Sequence, residues 1–347
     1  PGTTSDPGEQ YRPVGIPSGV YHFHTKMTFT GAQDRLAFLQ PDGPFSGKLV
    51  SHVDDFLFRF GDPNDHYDSA AHDGSKSVSE ILFAPVQAQV ADSLADSVNT
   101  GFLEMYSAQY VEILGEQLIG FSRCHYAEHA GKLRIYHPFA QQNKRTAASK
   151  AQYWLRVRGR PTGGNTGAST VIIEPELQGA NNIPQDANGH DLAVWEEFFV
   201  IESIDTFALQ GGHGHHCDRH IRIEPTGETE TNRIAEIRID GYYFDQHFGD
   251  ESMLIAGHID QANGPEYWKT IHVTNCRFRG SHREDRTSGT TDYVRNAIRV
   301  QIDAASYNTT PGDRPEVLDI SGCSFWDYGE GPLEIMGDDS GYESVRH

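Results

Sequence analysis

Short runs of alternating apolar and polar residues occupy most of this chain. They are rich in Val, Ile, Phe and Tyr, and clusters of Gly, Asp, Asn and Pro separate them, as is typical of β-strands joined by turns. Clear examples are residues 153–160, 169–176, 236–244 and 316–325. Helical periodicity is nearly absent, and only Val86–Asn99 has the spacing of an amphipathic helix. The pattern predicts an all-β chain with one short helix between strands.

Three segments of the chain superimpose without gaps, namely 237–244, 271–278 and 318–325. Each has the order apolar, any, apolar, any, Gly or Asn, Tyr or Cys, any, Phe. Apolar residues two apart share one face of a strand, and Gly or Asn in the fifth place favours a left-handed bend. The repeat therefore predicts two short strands joined by a one-residue bend, the corner of a parallel β-helix coil. Its spacing of 34 and then 47 residues requires long loops between coils.

The front of the chain carries a second signal, the run Ile16-Pro17-Ser18-Gly19-Val20-Tyr21. It resembles the opening coil of pectate-lyase-like β-helices and phage tailspikes. The resemblance implies a right-handed parallel β-helix with a single strand per coil and sheet over 13–337, with loops extruded between coils and tails at 1–12 and 338–347. Such domains usually carry an amphipathic helix before the first coil, and 1–12 lacks that pattern, so we expect another chain or further sequence to cover this end. The scaffold hosts many activities, so the resemblance is less specific for function.

Stacking of the repeats would bring like residues into contact inside neighbouring coils. The expected aromatic ladder consists of Phe244, Phe278 and Phe325. Tyr242, Cys276 and Cys323 would lie beside it. The two cysteines either fill the core as small hydrophobes or form a disulfide. The four cysteines of the chain contain no CxxC pair, which excludes a zinc ribbon and a compact disulfide framework.

Outward positions of the same repeats predict a glycan-binding surface, because they stack at the strand spacing of about 4.8 Å. Aromatic rings pack against sugars, and carboxylates and guanidinium groups bond to hydroxyls. The predicted glycan-binding residues are Arg238, Tyr243, Arg277, Arg279, Asp319, Trp326 and Asp327. The alternative is an ordinary solvated sheet face, since exposed charge is the default on a protein surface.

Two catalytic routes remain open on this surface. A glycoside hydrolase needs two carboxyl groups about 5 to 9.5 Å apart. Asp240, Asp245, Asp319 and Asp327 could supply such a pair, and Asp240 with Asp245 is the predicted one. A polysaccharide lyase needs a base near a uronic acid and a neutralising cation, for which His272 and the nearby arginines have suitable chemistry. Carboxylates could also hold Ca²⁺. The spacing of the residues selects neither route.

A dense cluster of possible metal ligands lies elsewhere in the chain. Its members are His213, His215, His216, Cys217 and His220. Imidazole and thiol groups bind Zn²⁺, Ni²⁺ or Cu²⁺, although this spacing matches no standard zinc module. The alternatives are a polar loop and a pH-responsive group, because histidine gains charge below about pH 6.5.

Charge narrows the classes of function. The chain has 347 residues, with 49 acidic and 28 basic side chains and a net charge of −21. That charge argues against a general nucleic-acid binder, which neutralises phosphates with Lys and Arg. No run of about 18 apolar residues is present, so we expect no membrane insertion. Only 7 of the 28 bases are Lys, a bias typical of halophilic proteins and equally of GC-rich genomes.

The sequence therefore predicts a tailspike-like attachment protein on a virion or cell surface. It would bind a host glycan or another surface polysaccharide along its strand face, as a homo-oligomer, by default a trimer, within a larger assembly. The first alternative is a polysaccharide lyase or glycoside hydrolase. The second is a structural spacer without a ligand. The only cofactor expected is a possible divalent metal, zinc or calcium, and the expected location is extracellular or on a virion.

Overall fold

Three parallel ladders of strands form the body of the protein. A computed structural model describes residues 12–30, 35–63, 80–142, 149–159, 168–179, 185, 192–202, 204–224, 233–257, 259–260, 264–265, 267–280, 282–285, 290–293, 295–302, 317–328 and 331–337. Within them, one sheet has 10 strands and another has 20, which divide into two ladders of ten. Each coil gives one strand to each ladder. The chain is a parallel β-helix, right-handed as parallel crossovers are, and this confirms the predicted fold.

Ladder 1 contains the first strand of every coil. Its members are β1 (Arg12–Gly15), β4 (Arg35–Leu39), β7 (Glu80–Phe83), β10 (Tyr110–Ile113), β13 (Lys132–Tyr136), β16 (Ser169–Ile173), β19 (Thr206–Gln210), β22 (Arg233–Asp240), β27 (Tyr267–Thr274) and β32 (Val317–Ser321). From β7 onward, one or two residues connect each of these strands to the next strand of the same coil.

Ladder 2 contains the second strand of every coil. Its members are β2 (Gly19–Phe23), β5 (Gly47–Ser51), β8 (Val86–Val90), β11 (Glu116–Ile119), β14 (Pro138–Gln141), β17 (Glu176–Gln178), β20 (His213–Gly214), β23 (Tyr243–His247), β28 (Arg277–Gly280) and β33 (Ser324–Trp326). The bend before this ladder is left-handed at Gly241, Asn275 and Gly322, where φ is 70°, 54° and 65°. Gly or Asn at these places is therefore explained as predicted.

Ladder 3 contains the third strand of every coil. Its members are β3 (Met27–Phe29), β6 (Phe56–Phe60), β9 (Gly101–Tyr106), β12 (Arg123–Glu128), β15 (Ala151–Arg158), β18 (Trp195–Glu202), β21 (Cys217–Ile223), β24 (Glu251–Gly257), β31 (Asn296–Ile302) and β34 (Gly331–Gly337). Two antiparallel hairpins lie outside the ladders, β25 (Ile259–Asp260) with β26 (Gly264–Pro265) and β29 (His282–Asp285) with β30 (Thr290–Tyr293). Every connection longer than seven residues begins or ends at ladder 3.

The predicted helix at Val86–Asn99 is wrong. Val86–Val90 is strand β8, paired in parallel with β5 and β11, and only Asp92–Leu94 forms a single 3₁₀ turn. Val86, Ala88 and Val90 are buried and the glutamines between them are half-buried. The first five residues thus alternate with period two, as in a strand. The apparent helical spacing arises only when the residues of the following turn are counted with them.

The predicted stacking of the three aligned repeats is confirmed residue by residue. Ile237 pairs with Ile271, which pairs with Leu318. The rings of Phe244 and Phe278 stack with centroids 4.1 Å apart, and those of Phe278 and Phe325 stack at 4.9 Å. These rings belong to one continuous core inside the coils, which fills the space between the three ladders.

Ladder 3 differs from the other ladders because two consecutive residues face the core in most of its strands. Trp154 with Leu155, and Phe198 with Phe199, are fully buried neighbours. Each such pair interrupts the alternation of inward and outward side chains along the strand. Neighbouring strands stay in register because their inward pairs are aligned, as Leu155 is with Phe199. A residue on either side of each inward pair therefore faces outward, which gives this ladder a broad outer face.

The predicted bounds of the β-helix are 13 and 337, and the first and last described residues are 12 and 337. The predicted tails at 1–12 and 338–347 fall outside the described residues, apart from Arg12, which begins β1. No helix of the described residues is long and apolar enough to cross a membrane.

Candidate functional site

The outer face of ladder 3 carries charged and phenolic side chains in register over most of its strands. Arg59, Glu104, Tyr126 and Arg156 occupy equivalent positions in four successive strands. We call the ladder 3 face the set Arg59, Glu104, Tyr106, Arg123, Tyr126, Glu128, Tyr153, Arg156, Glu197, Glu202, Arg219, Arg222, Glu251 and Arg299. Every connection longer than seven residues also begins or ends at a strand of this ladder.

Glu104 is the best-connected carboxylate at the front of the ladder 3 face. It accepts a hydrogen bond from Arg59 Nε at 2.6 Å and another from Lys26 Nζ at 2.7 Å. Tyr106 donates its phenolic hydrogen to the same carboxylate at 3.2 Å. Burial, followed by the charge of Glu104, raises the pKa of Tyr106 well above its usual value of 10. Tyr106 is therefore a hydrogen-bond donor and not a base.

The middle of the ladder 3 face repeats this arrangement with different partners. Arg156 binds Glu202 through two hydrogen bonds, from Nε at 3.0 Å and from Nη2 at 2.8 Å. Tyr126 donates to Glu128, and burial raises the pKa of Tyr126 far above 10. Burial also raises the pKa of Tyr153 to about 12. The three tyrosines of this face are thus neutral phenols at ordinary pH.

The far half of the ladder 3 face is a chain of shared ion pairs. Glu197 accepts from Arg219 at 2.7 Å and from Arg222 at 2.9 Å. Arg219 also donates from Nε to Glu251 at 2.7 Å, and Arg299 approaches Glu251 to 3.5 Å. Arg219 and Arg299 each span carboxylates of two different coils, and the network runs along the axis of the β-helix.

Burial separates the two signs of charge on the ladder 3 face. The side chains of Glu104, Glu202 and Glu251 are only 2 to 4% exposed, whereas the arginines paired with them are 22 to 37% exposed. The carboxylates lie underneath and the guanidinium groups lie above them. The surface offered to a ligand is therefore rich in N–H donors, although the formal charges nearly cancel.

One carboxyl group beside the ladder 3 face differs from the rest. Burial, and then the charges of Glu197 and Asp218, raise the pKa of Glu196. Asp218 is itself paired with Lys150 at 2.7 Å, and Glu197 is held by arginines. A raised pKa makes a carboxyl group hold its proton to higher pH, which is the direction that general acid catalysis requires.

The predicted residues of ladder 1 lie in register on a plainer surface. Arg238, His272 and Asp319 are aligned across three strands. His272 Nδ1 lies 3.3 Å from Asp319 Oδ2, and Arg238, whose side chain is 66% exposed, pairs with Glu236 of its own strand. Their role in glycan binding or catalysis stays a prediction.

The predicted residues of ladder 2 gather at the last described coils. Arg279 lies 3.6 Å from Asp245 and 3.6 Å from Asp327, and the rings of Tyr243 and Trp326 are 6.0 Å apart. Arg277 pairs with Tyr243 and Ser324 in the strand register. These side chains form an exposed mixed patch, and their role in glycan binding stays a prediction.

The predicted catalytic pair of Asp240 and Asp245 is divided by the bend at Gly241. Asp240 ends ladder 1 and Asp245 belongs to ladder 2. Thr274 at 2.6 Å and Asn275 at 2.9 Å donate to Asp240, and these hydrogen bonds lower its pKa. Asp240 is thus an ionised carboxylate that supports the bend, and its partner in the prediction lies on another face.

The five predicted metal ligands do not converge. Cys217 and His220 are fully buried, and His220 packs against Phe198 and Tyr242 in the core. Desolvation lowers the pKa of His220 well below 6.5. His213 and His215 lie on the outer side of ladder 2 with stacked rings, and His216 contacts His215 and Phe248. Among the described residues, no three His, Cys, Asp or Glu side chains are grouped to hold a metal ion.

Similarity to known proteins is found among solved structures and not among family models or curated sequences. No protein-family model matches the sequence, and no curated protein matches it. Among solved structures, the chain is similar to the catalytic domain of a GH87 alpha-1,3-glucanase in complex with nigerose. Three structures of that domain, two of them single-site variants, show 11 to 12% identity and TM-scores of 0.43, 0.40 and 0.37. The similarity covers 98% of this chain and 70% of that domain. Because these TM-scores are below 0.5, the assignment of the fold depends on the strand pairing of this protein and not on the similarity.

Sequence reasoning missed the ladder 3 face, although a signal for it was present. In Glu104-Met105-Tyr106, Tyr126-Ala127-Glu128 and Arg156-Val157-Arg158, a small or apolar residue is flanked by charged or phenolic ones. The three gap-free repeats ended after ladder 2, so these strands were never aligned with each other. The inward pairs that break the alternation in ladder 3 also hid its register.

Proposed function

We propose that the protein binds an extended acidic polysaccharide along the ladder 3 face. The observation that carries this proposal is the layer of partly exposed arginines paired with buried carboxylates, repeated along the ladder. A polymer lying parallel to the helix axis would meet a new set of donors about every 4.8 Å. Guanidinium groups bind carboxylates and sulfates through paired hydrogen bonds.

Pre-organisation supports this proposal. Both oxygens of Glu202 hold Arg156, and two arginines share Glu197. Side chains that are already fixed lose little conformational entropy when a ligand binds. The buried carboxylates thus act as supports that aim the free N–H groups of the arginines outward.

The net charge of −21 does not prevent such binding. At physiological ionic strength, exposed charges more than about 8 Å apart are largely screened from each other. The ligand therefore responds to the local guanidinium layer. Distant acidic groups slow its approach at low salt and affect the bound state less.

The direct test is an affinity measurement with a polyuronate and a neutral glucan of equal length. The double variant Arg156→Gln and Arg222→Gln should bind the polyuronate about tenfold more weakly or worse, since each lost charged contact contributes on the order of 1 kcal/mol. Arg238→Gln, on ladder 1, is the matched control and should bind like the wild type. Equal loss in both proteins, or no binding of either polymer to the wild type, would contradict the proposal.

Attachment to a host or cell surface is the biological role that this binding would serve. The protein would then act as a surface or virion component of an oligomeric assembly, as the tailspike resemblance implies. Purified protein should compete with particles for binding to the host surface, and its mass in solution should exceed that of one chain. Failure to compete at saturating protein would contradict the attachment role.

Hydrolysis of the same polymer is the second candidate, because of the raised pKa of Glu196 beside Glu197. Glu196 would act as the general acid and an ionised neighbour as nucleophile or base. Reducing ends should then appear with the wild type and disappear with Glu196→Gln. The neutral tyrosines argue against a lyase that uses a tyrosinate base. Absence of reducing ends with every acidic polymer tested would leave binding alone.

A further inference from the structure

Cys276 and Cys323 lie opposite each other on neighbouring coils. Thr274 pairs with Ser321 before them, and Arg277 pairs with Ser324 after them. The backbone N–H of Ser324 donates to the carbonyl of Cys276 at 3.0 Å, so the two cysteines are held side by side. Adjacent strands lie about 4.8 Å apart, which falls within the Cα separation of about 4.4 to 6.8 Å that a disulfide needs.

No disulfide joins the two cysteines. Their thiols are close enough to share a hydrogen bond, and each sulfur also lies near a carbonyl oxygen of β27, Cys276 at 3.2 Å from Thr274 and Cys323 at 3.4 Å from Val273. Cys276 is fully buried, while Cys323 is partly exposed. Of the two residues, only Cys323 reaches solvent, and Cys276 lies buried beside it on the neighbouring coil.

We infer that Cys276 and Cys323 form a redox modification site. A small disulfide oxidises the two thiols to a disulfide bond, and this bond ties the coil of β32 and β33 to the coil before it. This site is independent of the ladder 3 face. It lies on the inner side of the bend between ladders 1 and 2.

The chemistry is two successive thiol–disulfide exchanges. The Cys323 thiolate attacks one sulfur of the small disulfide, forms a mixed disulfide and releases one small thiolate, which takes up a proton. Cys276 then loses its proton to water and attacks the Cys323 sulfur, which releases the second small thiol. Two protein thiols lose two electrons and two protons, and the external disulfide gains them.

The electrostatics of the pair favour this order of events. The hydrogen bond from the Cys276 thiol lowers the pKa of Cys323, and the same contact together with burial raises the pKa of Cys276. The thiolate is the nucleophile in such exchanges. The accessible cysteine is thus the attacking one and the buried cysteine is the resolving one.

The bond would tie the last coil of the described residues, which contains β32 and β33, to the coil before it. A bond across these coils closes a loop of tens of residues and restricts the unfolded chain. We expect the oxidised protein to be the more stable form.

The other two cysteines provide internal controls. Cys124 and Cys217 are both buried. Cys217 pairs in register with Trp195 on one side and His247 on the other, so no sulfur lies opposite it. Neither residue should react under native conditions.

The test is to treat the folded protein with oxidised glutathione, block free thiols in denaturant and map the peptides by mass spectrometry. The expected result is a disulfide-linked Cys276–Cys323 peptide with Cys124 and Cys217 blocked. The Tm should rise by roughly 3 to 8 °C and return on reduction. Complete blocking of Cys276 and Cys323, or a bond without any rise in Tm, would overturn the inference.

Two single variants separate the steps of this reaction. Cys276→Ala should retain glutathione on Cys323 as a stable mixed disulfide, because the resolving thiol is absent. Cys323→Ala should take up no glutathione and show no rise in Tm. If Cys323→Ala does not fold, the trapped adduct on Cys276→Ala still decides, and absence of that adduct would contradict the assigned roles.

Discussion

The outer faces of ladders 1 and 3 carry ion pairs of the same residue types at different depths. On ladder 1, Arg238 is 66% exposed and its partner Glu236 is 33% exposed. On ladder 3, Glu251 is 2% exposed beneath arginines that are 22 to 26% exposed. Residue type and register are therefore poor guides to a binding surface. The two faces differ in the depth at which the carboxylates are buried.

Removal of a buried carboxylate from ladder 3 should give the largest effect on stability. Glu251→Ala leaves Arg219 and Arg299 without their shared partner. Because both arginines reach solvent, we expect a loss of about 2 to 3 kcal/mol in the free energy of unfolding, somewhat below the cost of a fully buried broken pair. Denaturant unfolding measures it. Glu236→Ala on ladder 1 is the matched control and should change stability by less than about 0.5 kcal/mol; equal losses would erase the distinction between the faces.

Burial should also govern the response to acid, and His247 is the clearest case. Desolvation lowers the pKa of His247 from 6.5 to about 3. The unfolded chain then binds more protons than the folded chain between these values, so stability falls as pH drops from 6.5 toward 3. The loss from this group is about 1.4 kcal/mol per pH unit.

His247→Gln tests this pH dependence and keeps a partner for Ser252, which lies 2.8 Å from the imidazole. The slope of unfolding free energy against pH should become shallower between pH 6 and 4 in the variant. Packing loss shifts the whole curve and is read separately at pH 8. An unchanged slope would contradict the assignment of acid sensitivity to this residue.

The loss of binding free energy on removal of one arginine from ladder 3 should be smaller than the stability losses above. Arg156→Gln alone removes one half-exposed guanidinium group above Glu202 and should weaken polyuronate binding three- to tenfold, or about 1 kcal/mol. Isothermal titration at low and moderate salt measures the affinity. The wild type should lose more affinity with added salt than the variant does. Identical salt dependence would argue that Arg156 does not contact the polymer.

The smallest effect is expected for Asp240, one of the predicted catalytic residues. Asp240→Asn keeps an oxygen that can accept from Thr274 and Asn275. Polymer binding and any release of reducing ends should stay within about twofold of the wild type. A loss of activity larger than that of Glu196→Gln would return the catalytic assignment to the corner of ladders 1 and 2.

The aligned repeats predicted the fold because their chemistry is local. The register of the coils follows from two positions of the repeat, the Gly or Asn at the bend and the Phe at the eighth place. The structure places Phe244, Phe278 and Phe325 in one stack. Outward neighbours on ladders 1 and 2 followed from the same alignment. A short-range pattern repeated at neighbouring coils was sufficient for these elements.

The site was not predictable in the same way. Glu104 and Arg59 are 45 residues apart in sequence, and only the coil stacking brings them together. The depth of a carboxylate is a property of the folded neighbours that cover it. For the same reason the histidine cluster at 213–220 was read as one group, although the strand turns Cys217 and His220 into the core.

A structure of the protein with a bound uronate oligosaccharide tests the central claim most directly. The account predicts an oligosaccharide parallel to the helix axis on the ladder 3 face, with its carboxylates on Arg156, Arg219 and Arg222. An oligosaccharide across Tyr243, Arg279 and Trp326 on ladder 2, with the ladder 3 face empty, would contradict it.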